Sequence, residues 1–160
     1  MYFEPQNRLL LSGDALWEGG MGFVWPEEGA NPWIESAHAA LDTIERLDPV
    51  VVIPGHGAPF GDARAAIGTV RARLDAFARD PAKNARHVVK VMFVFALLER
   101  GSMAVGEVAG YLGRVGCYRD MTERFLGEPP EALAGWLVAD LERAGAVRVE
   151  AGRVRPTMPA

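Results

Sequence analysis

Two short apolar runs set the pattern at the start of the chain. Leu9-Leu10-Leu11 stops at Ser12-Gly13-Asp14, and Val50-Val51-Val52-Ile53 stops at Pro54-Gly55-His56-Gly57. Each run is too short for a helix and is closed by turn residues, so both predict strands. "MYFEP" adds a further short strand ahead of the first run, with Gln6-Asn7 as the hairpin turn. Ile34, Ala37, Leu41 and Ile44 recur at helical spacing, and Pro32 suits a first turn, which predicts an amphipathic helix over 32–47. Ala63, Ile67, Val70, Leu74 and Phe77 make the inner stripe of a second helix over 62–79, capped by Asp62. Alternating strand and helix implies helices packed on a sheet.

Near Asp80-Pro81 the pattern changes. Asn84 to Arg100 is apolar on most faces and reads as a buried helix with Gly101 as its C-cap. A second helix follows, with Val105, Val108 and Leu112 inside, and a third starts at Pro129-Pro130 and ends on Gly145. "AVRVEAGRVRPT" then gives two short strands about an Ala-Gly turn. Three helices and a β-hairpin form a winged-helix-like pattern. The expected division is an α/β part over 1–80 and a helical part over 81–160.

Composition narrows the setting. The chain has 160 residues, 49% of them hydrophobic, enough to bury a core in one domain or two small ones. Its one cysteine, Cys117, excludes an intrachain disulfide and a cysteine metal cluster, and fits a reducing, cytoplasmic compartment. The N-terminus lacks the basic and apolar regions of a signal peptide, and Lys90 interrupts the longest apolar run, Val88–Leu98, so no membrane span is expected. A formal net charge of −4 argues against a dedicated nucleic-acid binder.

The candidate chemistry lies where the two runs stop. Gly-Asp and Pro-Gly-His are ordinary turn chemistry. The functional alternative is that Asp14 and His56 are metal ligands. A carboxylate can bridge two cations 3.5–4 Å apart, and a neutral imidazole suits zinc or iron. Both residues fall at carboxyl ends of predicted strands, where α/β proteins usually collect ligands.

With "LLLSGDALW" and "VVVIPGHGAPFGD" in that order, the chain resembles the C-terminal half of a metallo-β-lactamase-fold hydrolase with an appended winged-helix-like domain. The resemblance implies a partial metallo-β-lactamase domain, an αββα half, over 1–80. It also implies a dinuclear site bridged by Asp14 with His56 as a terminal ligand, occupied by zinc, with iron or manganese as alternatives. The expected activity is hydrolysis of a small ester, thioester, lactone or related substrate. The chain departs from the family in lacking a His-x-His-x-Asp-His run. It has only His38, His56 and His87. It therefore reads as a fragment, expected to be inactive alone.

Trp17, Phe23 and Trp25, in the loop after Asp14, are candidates for an apolar substrate pocket, or for packing that loop onto the body. Trp33 belongs to the same aromatic group, and Glu18 lies within reach of the site. His38 and His87 read as packing residues. The alternative function is a winged-helix nucleic-acid-binding or regulatory module, against which Glu131 stands at the start of the recognition helix. The strand at 50–53, apolar on both faces, has one face left over after the two helices are placed. Homo-oligomerisation, or the helical part folding back over it, would cover that face.

Overall fold

The computed structural model describes residues 1–157. The chain is mixed α/β and forms two compact units, Met1–Pro81 and Ala82–Ala160. In the first, β1 (Tyr2–Glu4) pairs antiparallel with β2 (Leu9–Gly13), and β3 (Val51–Pro54) pairs parallel to β2. The three lie in the order β1-β2-β3. Period-two alternation sorts the side chains. Phe3, Leu10 and Val52 are in register on one face, and Leu10 and Val52 are wholly buried. They join a core with Ile34, Leu41 and Ile44 of α1 (Pro32–Leu47) and Ile67, Val70 and Leu74 of α2 (Ala63–Arg79). The opposite face carries Tyr2, Leu9, Leu11, Val51 and Ile53, of which Tyr2 is 66% and Leu11 44% exposed. Val50 is also exposed, so the apolar run at 50–53 is only partly buried.

Local chemistry ends these helices where the periodicity does. Asn31 Oδ1 accepts from the backbone N–H groups of Trp33 and Ile34, while its Nδ2 donates to the Trp25 carbonyl and ties the preceding loop to the helix start. Asp62 accepts from Ala65 N–H at the head of α2. Between the helices, Arg71 donates to Asp42 at 2.6 Å and to Glu45 at 2.9 Å. That guanidinium holds the Glu45 carboxyl below its ordinary range.

The second unit contains α3 (Pro81–Arg100), β4 (Met103–Ala104), α4 (Val105–Arg114), α5 (Gly116–Met121), a π-helical turn over Thr122–Leu126, α6 (Pro130–Arg143) and the hairpin β5 (Val147–Glu150) and β6 (Arg153–Pro156). The helix α3 starts three residues before Asn84, with Pro81 in its first turn. Val105 is the first residue of α4 and is 42% exposed, contrary to its expected inside position; its N–H donates to the Gly152 carbonyl instead. Ala151 and Gly152 both have positive φ, as a two-residue hairpin turn requires. The antiparallel sheet has the order β4-β6-β5. Among the described residues no helix is long and apolar enough to cross a membrane.

Candidate functional site

The site is built from the carboxyl ends of the parallel strands β2 and β3. Their pairing shifts register between Leu11 and Gly13. At that point Ser12 turns inward, 2% exposed, and its Oγ donates to the Leu16 carbonyl at 2.6 Å. Gly13 follows with φ +57°, a left-handed conformation that glycine adopts without a Cβ penalty. The Ala15 N–H returns to the Ser12 carbonyl, closing a turn that leaves Asp14 at the rim of the sheet. The end of β3 is fastened to the same place, because Gly55 N–H donates to the Gly13 carbonyl at 2.9 Å. One residue later His56 stands with Nε2 3.8 Å from Asp14 Oδ1. This is longer than a hydrogen bond, and the two side chains are 70% (His56) and 68% (Asp14) exposed.

Two glycines seat the carboxylate. A Cβ on Gly55 would fall 2.9 Å from Asp14 Oδ1 and 3.2 Å from the Gly13 carbonyl carbon. A Cβ on Gly22 would fall 3.0 Å from Asp14 Cβ, and the Gly22 N–H donates to the Asp14 carbonyl. At Gly55 and Gly22 the missing side chain makes room for Asp14 itself. Ser12 and Gly22 were not legible as part of the site, since a buried Ser and one glycine among 18 carry no distinguishing pattern.

Of the aromatic candidates, Trp17 belongs to this constellation. Its ring meets His56 edge-on, with centroids 5.0 Å apart, and its Nε1 donates to the Gly13 carbonyl. A bridge between Trp17 and Gly20 folds the loop back, and Arg73 of α2 straps it by donating to the Gly19 carbonyl. Phe23 and Trp25 instead pack on one another with centroids 6.4 Å apart. Trp33 is 56% exposed on α1, and Glu18 is exposed.

The remaining histidines are placed elsewhere. His38 Nε2 lies 3.4 Å from Asp75 Oδ1, joining α1 to α2, and His87 is half-buried within α3. Among the described residues no group of three or more His, Cys, Asp or Glu side chains is assembled that could hold a metal ion. Asp14 and His56 have the right donor chemistry, but a catalytic zinc ordinarily needs three protein ligands. As a complete metal site the donor set does not fit.

No family model matches this chain, and no curated protein matches it in sequence.

Proposed function

We propose that this chain is the C-terminal half of a metallo-β-lactamase-fold hydrolase followed by a winged-helix-like domain, and that Asp14 and His56 are two ligands of a dinuclear site. The observation that carries this reading is the 3.8 Å approach of His56 Nε2 to Asp14 Oδ1 at the ends of two adjacent parallel strands. Two donors each ~2 Å from one tetrahedral cation sit roughly 3.3 Å apart, so a small side-chain rotation brings the pair to a shared ion. Asp14, as a carboxylate, would also be able to serve a neighbouring cation. The remaining donors come from polypeptide outside this chain.

A zinc, iron or manganese pair, held by Asp14 and His56 together with donors from outside this chain, would supply Lewis acidity toward a small ester, thioester, lactone or related substrate. This chain alone holds too few donors for that chemistry, so no step of hydrolysis is assigned to it in isolation. Its contribution is positional: Gly55 and Gly22 leave room for Asp14, and the Trp17 ring packs edge-on against the imidazole.

The sequence pattern implies three helices, and the second unit has a fourth, the short α5, between α4 and α6. The β5-β6 hairpin after α6 and the sheet order β4-β6-β5 support the winged-helix-like reading. The exposed residues of α6 include Glu131, Ala132, Gly135, Ala139, Glu142 and Arg143, one cation against two carboxylates. That balance disfavours groove recognition and favours the hydrolase over a nucleic-acid-binding module. The single free Cys117 supports a reducing, cytoplasmic location. The apolar face carrying Tyr2 and Leu11 supports self-association through a second copy of the chain.

Imidazole ¹⁵N spectra during zinc titration test the ligand assignment. The His56 Nε2 resonance is expected to move while His38 and His87 stay in place, and Asp14→Asn is expected to suppress the movement. Equal response of all three histidines, or a His56 response indifferent to Asp14→Asn, would remove the assignment.

A further inference from the structure

The second unit contains a cavity of about 410 Å³ between the last turn of α3, β4 and the outer face of α4. Its volume lies in the range of small-molecule sites. Its walls include Arg100 and Arg114, neither of which has a carboxylate partner among the described residues. The one acid in the cavity, Glu107, is turned to the start of its own helix, where Oε2 accepts from Ala104 N–H at 3.4 Å.

Arg100 is not a freely waving side chain. Its guanidinium lies over the Tyr111 ring, 4.8 Å from the centroid. That ring is itself held by Phe93 and by the buried Tyr118, with centroids 6.4 and 5.7 Å away. A cation stacked on an anchored ring loses little freedom when it binds an anion, so less binding energy is spent on ordering it.

The floor is glycine. Gly106 and Gly110 are one turn apart on α4 and both line the cavity. Each costs a helix roughly 1 kcal/mol relative to Ala. At Gly106 a Cβ would meet nothing within 4 Å, so packing within the unit does not demand its absence. At Gly110 a Cβ would lie 3.1 Å from Arg114 Nη1, which ties the position of that guanidinium to the bare floor.

We propose that this cavity is a binding site for a small organic anion, its carboxylate or phosphate head held between Arg100 and Arg114 and its apolar body laid on the Gly106–Gly110 floor. Guanidinium groups suit both heads through paired N–H donors. The site lies within the second unit and is independent of Asp14 and His56.

Titration of the full chain with phenyl phosphate and, separately, benzoate tests this, read from the amide resonances of Gly106 and Gly110. Saturable shifts confined to this cavity are expected with at least one probe, and the probe that binds identifies the head group. Arg100→Gln and Arg114→Gln are each expected to weaken binding about ten-fold, the scale of one charge-assisted hydrogen bond. Arg119→Gln, on α5 and outside the cavity lining, is expected to leave binding unchanged. All three positions are exposed, so circular dichroism verifies an unaltered fold. Shifts that rise linearly without saturating, absence of shifts with both probes, or binding by the Arg100 and Arg114 variants as tight as that of the parent chain would overturn the proposal.

Discussion

Gly55 lies against Asp14 so closely that a Cβ would sit 2.9 Å from the carboxylate oxygen Oδ1, the atom that faces His56. Gly55 needs no left-handed conformation, so its requirement is one of contact alone. Gly57 is the converse: φ is +92° and nothing lies within 4 Å of its Cβ position. Gly55→Ala is expected to displace the carboxylate and weaken zinc binding about ten-fold, the effect of misplacing one ligand. Gly57→Ala is expected to cost about 1–2 kcal/mol of stability through backbone strain while disturbing Asp14 less. Zinc titration and urea denaturation of both variants check the contrast; equal zinc affinities would contradict it.

Ser12 is expected to behave as a structural residue of the same turn. Its buried Oγ donates to the Leu16 carbonyl, and Ser12→Ala strands that acceptor. A loss of about 1–3 kcal/mol in denaturant unfolding is expected. A change below a few tenths of a kcal/mol would show that the turn holds without it.

Much of the first unit was legible because local chemistry and periodicity agree there. The helix α1 runs over Pro32–Leu47 as its apolar spacing implies, with Asn31 capping one end and Asp48 in the left-handed region at the other. The Asp14–His56 approach was legible too, since both residues follow glycine where an apolar run stops. What stayed hidden depends on tertiary context. The strand β4 has two residues and exists through pairing with β6, which no alternation can announce. The α5 and π-helical segment is organised by burial of Tyr118 and Met121, two positions without a helical stripe around them. The seating of Asp14 by Gly22 joins positions whose meeting depends on how the intervening loop folds back.

Asn84 is wholly buried, and neither polar atom of its side-chain amide has a hydrogen-bond partner among the described residues. An unsatisfied amide costs more than the small void left by its removal. Asn84→Ala is therefore expected to raise stability by about 1 kcal/mol in denaturant unfolding. Destabilisation by a similar amount would mean that the amide is satisfied in solution.

The Arg71 bridge gives a pH dependence of definite sign. The folded-state pKa of Glu45 lies below its ordinary value of 4.5, with the Arg71 hydrogen bond as the main cause. The associated stabilisation is fully present above pH 4.5 and is lost as pH falls through the depressed folded value. Arg71→Gln is expected to flatten the stability profile below pH 4.5 and leave its slope near neutrality unchanged. Parallel acid profiles for the two proteins would contradict this.

The open sheet face is expected to drive self-association at tens of micromolar, and Leu11→Lys, which charges its centre, is expected to reduce it. Light scattering reads both. A strictly monomeric parent chain would leave the face to a different covering.

On the proposed reading, Asp14 and His56 are part of a metal-ligand set completed from outside this chain. Elemental analysis after equilibrium dialysis against zinc tests it most directly. The expected result is clearly less than one zinc per chain, falling to background in both Asp14→Asn and His56→Ala. One full equivalent retained by the parent chain, or retention unchanged in the two variants, would contradict it.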